Sequence, residues 1–155
     1  MRFINNIKHI NMYLPVYINI DNKKILIIGG GNVALRKIEL LKQFTNNIVV
    51  IASKVSSKTK DTGCEYYEKD YDASFLKGYF LVYACTDNYK LNKKIKEDAN
   101  KLGLLVNVVD NPKLCDFISP AIYKKGEMIV AVSSGGQNVL KSIRWRNKIK
   151  KIFGG

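Results

Sequence analysis

From Lys24 to Phe44 the chain reads KILIIGGGNVALRKIELLKQF. The apolar, mostly β-branched run Ile25–Ile28 meets three glycines and then a segment of 3.6-residue periodicity, so the stretch reads strand, tight turn, helix. On that helix Val33, Ala34, Ile38, Leu41 and Phe44 fall on one face, and Arg36, Lys37 and Lys42 point toward water. Next comes IVVIAS, Ile48–Ser53, an unbroken apolar run of the kind a parallel strand shows when both its faces are covered. A βαβ unit is complete by residue 53.

Working outward, Glu65–Glu68, Tyr79–Cys85, Leu104–Val109 and Met128–Val132 read as further strands. Tyr89 to Leu102 reads as a helix ended by Gly103, and Val139–Phe153 as a basic helical tail. Strands alternating with helices predict an α/β, Rossmann-type doubly wound parallel sheet. Pro112 and Pro120 bracket the irregular NPKLCDFISP, which places the expected division between a nucleotide-binding domain over 13–110 and a small α+β element over 111–155.

The 155 residues suit one domain with a short appendage. With 46% hydrophobic and 25% charged residues the composition is that of a globular protein, and no apolar run approaches the roughly 20 residues of a membrane span. MRFINNIKHINM lacks the apolar core and cleavage site of a secretory signal, so a cytoplasmic location is expected. MYLPVYINI reads as a natural start at Met12. Residues 1–12 then form an N-terminal extension, in which the single histidine, His9, is assigned no role. Cys64, Cys85 and Cys115 are widely spaced, so neither a disulfide framework nor a metal site is expected. Twenty-six Lys and Arg against thirteen Asp and Glu give a net charge of +13. Such a charge attracts nucleic acid, anionic membranes or a small polyanion; a Lys-, Asn- and Ile-rich composition also follows from AT-rich codon use.

Gly29, Gly31 and Ala34 satisfy GxGxxA between a strand and a helix, the context that the dinucleotide fingerprint requires. The first glycine permits the turn, the second lets a pyrophosphate approach the backbone, and the small third residue lets helix and strand pack. An acidic residue ordinarily ends the second strand and binds the ribose hydroxyls; Ser53 and Lys54 stand there instead, a substitution that by itself leans toward a 2′-phosphate. Thr86 and Asp87 in ACTDN close a later strand beside the same crevice, where Asp87 or Asn88 is also placed to cap the next helix.

LPVYINI (Leu14–Ile20), ILIIGGGNVALRK (Ile25–Lys37), ACTDN (Ala84–Asn88), VNVVDNPKLCDFISPAI (Val106–Ile122) and AVSSGG (Ala131–Gly136), in this order, resemble the siroheme synthase N-terminal domain family, from about Tyr13 to Arg144. These are NAD-dependent precorrin-2 dehydrogenases, some of which are also sirohydrochlorin ferrochelatases. The resemblance implies NAD held by the turn Gly29, Gly30, Gly31, Asn32 and Val33, by Ser53 and Lys54, and by the Thr86 loop. The missing acid is ordinary in this family. Its catalytic aspartate falls on Asp110, and Ser133, Ser134 and Lys113 fall beside the substrate cleft. A positioned carboxylate there takes the proton lost when precorrin-2 is oxidised to sirohydrochlorin, and the same group would serve ferrous insertion. The substrate's many carboxylate arms give a basic cleft a purpose, with Lys113, Lys124, Lys125, Lys141, Arg144 and Arg146 as candidates.

The implied partners are the tetrapyrrole, Fe2+ where iron is inserted, and a second copy in a homodimer, with no nucleic acid and no membrane. The family pattern departs at GGQNVLKSIRWR, which lacks an expected proline, and the family continues into a further helical region that closes the cleft. Two other functions compete: an NAD-binding regulatory module without catalysis, in which Asp110 is dispensable, and a nucleic-acid binder suggested by the charge and by KSIRWRNKIKK (Lys141–Lys151).

Overall fold

The structure, a computed structural model, describes residues 12–154. His9 and the expected N-terminal extension, Met12 excepted, lie outside the described residues. The chain forms two compact units: residues 17–117, and residues 118–154 together with 12–16.

The larger unit holds five parallel strands. These are β1 (Ile25–Ile28), β2 (Ile48–Ala52), β3 (Glu65–Glu68), β4 (Leu81–Ala84) and β5 (Leu105–Val108), in the order β3-β2-β1-β4-β5. Helix α1 (Asn32–Leu41) follows β1, the single turn α2 (Ser57–Lys60) follows β2, and α3 (Tyr89–Lys101) follows β4. Central β1 is buried on both faces. Alternation along it sends Ile25 and Ile27 toward Ala34, Ile38 and Leu41 of α1, and Leu26 and Ile28 toward Ile95 and Ala99 of α3. Each fully buried Ile or Leu contributes about 1.5–3 kcal/mol of transfer free energy, so these two layers fix the register.

That register positions the site. Ile28 pairs with Ile51 and Ala84, Ala84 with Val108, and Ala52 with Glu68. The carboxyl ends of all five strands are therefore level, and the residues just past them, Gly29, Ser53, Lys69, Cys85 and Val109, emerge along one edge. The strand order reverses between β1 and β4, where an open α/β sheet leaves its ligand crevice.

The expected boundary after residue 110 differs from the compact units, which divide at Phe117 and Ile118. The reason is a return of the chain against β5. Asp116 donates its N–H to Val106 O at 2.9 Å and accepts from Val106 N at 2.9 Å, while Asn107 Nδ2 donates to Phe117 O at 2.9 Å. The smaller unit pairs β6 (Ala121–Lys125) with β7 (Met128–Val132) in an antiparallel hairpin and adds α4 (Val139–Phe153). Strand β6 is absent from the sequence reading. Its signal is the two-residue turn Gly126-Glu127 between Lys125 and Met128, with Gly126 at φ +58°.

One side chain departs from expectation on α1. Lys37 is half-buried, with its ammonium 5.6 Å from the centre of the Tyr83 ring. The apolar stripe of α1 is wider than the five positions read from the sequence, and Lys37 lies at its margin.

Candidate active site

A cleft of about 600 Å³ opens at the carboxyl edge of the large unit's sheet. Gly29, Gly30, Gly31, Asn32, Val33, Ser53, Lys54, Thr86 and Asp110 all line it. Nine residues singled out in the sequence thus share one cavity. Lys113 is exposed in the 3-10 turn Pro112–Leu114 and is not among the lining residues, and Ser133 and Ser134 belong to the smaller unit.

The three glycines differ in what they permit. Gly29 has φ +127°, and a Cβ there would lie 2.5 Å from Cys85 O. At Gly30 a Cβ would lie 2.4 Å from Lys54 O, whereas at Gly31 it would meet nothing within 4 Å. The first two glycines thus let the β1–α1 turn pass tightly beneath β2 and β4, and Gly31 leaves open space above the helix. Gly31 is also the N-cap of α1, with no side-chain cap, so the first-turn N–H groups face the cleft without a side-chain acceptor. Open space, free N–H donors and the positive end of a ten-residue helix together fit a pyrophosphate.

The walls are braced by hydrogen bonds. Gly30 O accepts from Ser56 N at 3.0 Å and from Thr59 Oγ1 at 3.2 Å. Thr86 Oγ1 donates to Asn92 Oδ1 at 2.6 Å, and the Asn92 amide returns to Thr86 O at 2.8 Å. Asn92 is buried, so this pair fixes the β4–α3 loop. Asn88, not Asp87, caps α3 by accepting from Leu91 N at 3.1 Å.

Asp110 stands two residues past the end of β5 and is exposed at the cleft wall with φ +59°. Asp and Asn tolerate this left-handed conformation better than other non-glycine residues, and outliers of this kind concentrate at functional sites. Its loop is held by Asn111 N donating to Val108 O at 3.3 Å and by Cys115, whose Sγ accepts from Val108 N at 3.2 Å. Lys37 lies within electrostatic reach of Asp110. Burial lowers the Lys37 pKa, and electrostatic interaction with its neighbours, Asp110 among them, opposes that shift. Burial also pushes the Cys85 thiol up to about 12, so it stays protonated and serves as packing under the glycine turn.

Sequence reasoning missed Lys69, Asp70 and Tyr71, which also line the cleft. The pairing of Ala52 with Glu68 brings them there, and a single sequence holds no signal for that register. In the smaller unit Ser133 Oγ accepts from Gly135 N at 3.0 Å and Ser134 Oγ from Asn138 N at 2.8 Å, so both shape the turn leading into α4. Among the described residues no three His, Cys, Asp or Glu side chains converge on a metal position, and no helix is long and apolar enough to cross a membrane.

Comparison with known proteins agrees with this geometry. A siroheme synthase from Nitrosococcus oceani is 41% identical over 145 residues, covering 91% of this chain and 31% of that protein. The siroheme synthase of Ruthia magnifica is 39% identical over 129 residues, covering 81% of this chain and 27% of that protein. The chain thus spans about three-tenths of the length of these curated relatives. A solved structure titled "SirC, precorrin-2 dehydrogenase" superposes with a TM-score of 0.78 at 25% identity, covering 92% of this chain and 71% of that one. Residues 16–121 match the family described as "Putative NAD(P)-binding". With a glycine turn, an uncapped helix end and a level sheet edge built from those same residues, the chain belongs to this NAD(P)-binding family.

Proposed function

We propose that the chain is an NAD-dependent precorrin-2 dehydrogenase, producing sirohydrochlorin for siroheme synthesis. The observation that carries the proposal is the placement of Asp110 and the glycine turn on the walls of one cleft. The reaction removes two hydrogens from the macrocycle, one as hydride and one as proton. A nicotinamide dinucleotide held in the cleft would supply the hydride acceptor. The chain's own residues do the rest. Gly29, Gly30, Gly31, Asn32 and Val33 hold the pyrophosphate against the start of α1, while Ser53, Lys54 and the Thr86 loop flank the remainder of the dinucleotide. Asp110, facing the cleft, takes the proton. Its loop, fixed by Cys115 and Asp116, keeps that carboxylate in position.

The partner of the reaction is a tetrapyrrole whose carboxylate arms suit a strongly basic chain. The partner of the chain is a second copy: Val139, Leu140, Trp145, Ile152 and Phe153 are exposed along α4, more apolar surface than a short solvated helix carries. Sedimentation at micromolar concentration is expected to give twice the chain mass.

The decisive experiment mixes the chain anaerobically with NAD and enzymatically generated precorrin-2 and follows NADH absorbance. Asp110→Ala is expected to lower the rate at least about 100-fold while NAD affinity stays within about threefold. Equal loss of binding and turnover would overturn the division of labour. Binding of NAD without turnover by the parent chain would favour the regulatory module.

A further inference from the structure

The ends of β2 and β3 carry several charged side chains, and the structure sorts them into committed and free. Glu68 is committed. Its Oε1 accepts from Val55 N at 2.9 Å and pairs with Lys60 at 3.1 Å. The Val55 N–H foremost, then Lys60, and also the nearby charge of Lys54, hold its carboxyl below the usual range. Two cations of this edge are engaged as well: Lys60 lies 5.2 Å from the Tyr66 ring centre and Lys69 lies 5.8 Å from that of Tyr67. Among the carboxylates at the ends of these two strands Asp70 differs. It lines the cleft, it is exposed, and its carboxylate makes no ion pair or hydrogen bond among the described residues.

Its backbone is nonetheless held on both sides. Lys69 N donates to Ala52 O at 2.9 Å, which continues the β2–β3 ladder one step and carries Asp70 past the end of β2, alongside Ser53 and Lys54. On the other side Tyr71 is anchored by its hydroxyl, which donates to Asp98 Oδ2 at 3.2 Å. A free carboxylate on a fixed backbone, at the edge where the adenosine half of a dinucleotide lies, matches the acid that a Rossmann site ordinarily takes from the end of its second strand.

We propose that Asp70 receives the adenine-ribose 2′- and 3′-hydroxyls of the dinucleotide, replacing from β3 the acid that β2 lacks, and so selects NAD over its 2′-phosphorylated form. The inference rests on the cofactor half of the proposed function and is independent of the tetrapyrrole. A carboxylate accepts two hydroxyl protons and repels a phosphate dianion in the same place, so one residue supplies both affinity and exclusion.

The test is direct binding of NADH and of NADPH to the full chain, by fluorescence titration at low salt, without substrate. The parent is expected to bind NADH at least about tenfold more tightly than NADPH. Asp70→Asn is expected to weaken NADH about tenfold, the loss of a charge-assisted hydrogen bond, and to bring the two affinities within about threefold of each other. Unchanged affinities in Asp70→Asn would overturn the proposal while leaving the cofactor site intact. A parent that prefers NADPH would overturn it in favour of Lys54 as a phosphate ligand. A parent that binds neither dinucleotide would overturn the cofactor reading and this inference with it. Circular dichroism of the exposed Asp70→Asn variant, expected to match the parent, separates loss of recognition from loss of fold.

Discussion

Replacing Gly29 and Gly31 separately by alanine distinguishes a glycine that the fold requires from one that the ligand requires. Alanine at position 29 meets two penalties. The backbone sits at φ +127°, a conformation that costs a non-glycine residue about 1–3 kcal/mol. The new methyl would lie 2.5 Å from Cys85 O and 2.7 Å from Cys85 C, and overpacking of this kind costs about 1–3 kcal/mol. Neither strand is free to retreat, because Gly29 N donates to Ile51 O at 2.8 Å and Cys85 N to Ile28 O at 2.7 Å. A loss near 3–4 kcal/mol lowers the Tm of a chain this size by about 10 °C. At position 31 the methyl meets nothing within 4 Å, and the backbone, at φ −94°, suits alanine. A poorer N-cap costs less than about 1 kcal/mol, and the reduced freedom of the unfolded chain offsets a similar amount, so Tm is expected to move by less than about 2 °C. The same methyl fills the space where the pyrophosphate reaches the N–H groups of α1. Losing that approach forfeits about 1.5–3 kcal/mol of charge-assisted hydrogen bonding, or roughly 10- to 100-fold in NADH affinity. Thermal unfolding followed at 222 nm and NADH titration of both variants test the contrast. A Gly31→Ala variant that binds NADH like the parent, or melts as low as Gly29→Ala, refutes the reasoning.

Lys37 links stability to pH. Its folded pKa lies below the unfolded value of 10.5, so below both values the buried charge is a burden, and folding gains stability as pH rises through the folded pKa toward 10.5. Lys37→Met is therefore expected to stabilise most at pH 7, with an advantage that shrinks in urea melts at pH 10; a constant difference would show that the charge is not the cause. Asp116→Ala removes the partner of Lys96, which is 9% exposed, and the acceptor of Val106 N, for an expected loss of about 2–3 kcal/mol in denaturant melts. Retention of parental stability would show that solvent replaces both contacts.

The legible part of the fold was the part governed by local pattern. Lys24–Phe44 displays strand, turn and helix because each apolar residue there meets the core in its own period, and β3, β7 and α4 run over the residues read from the sequence. Glycine chemistry made the turn legible, since GxGxxA encodes steric needs between neighbours in the chain. Asp110 is different. Its left-handed backbone and its exposure at the cleft leave no pattern, and only the resemblance of NVVDNPKLC to a known family singled it out. Asp70 and the burial of Lys37 depend on register and on the width of a packed stripe, which are properties of residues distant in sequence. Strand β6 was hidden because AIYKK alternates weakly and its burial is partial.

The return of residues 111–117 along β5 has a consequence for association between chains. The outward N–H groups of Val106 and Val108 are already taken, by Asp116 Oδ2 and by Cys115 Sγ, and Val106 O by Asp116 N. Side chains thus end the sheet where a sixth strand would otherwise attach. At the opposite margin β3 presents Glu65 and Glu68, with Lys60 paired to Glu68, a charged border that an incoming strand would have to desolvate. Five parallel strands, a slow-forming topology rich in apolar β-branched residues, are in this way kept from fibrillar growth at both ends. The segment that holds Asp110 in place also protects the chain from aggregation.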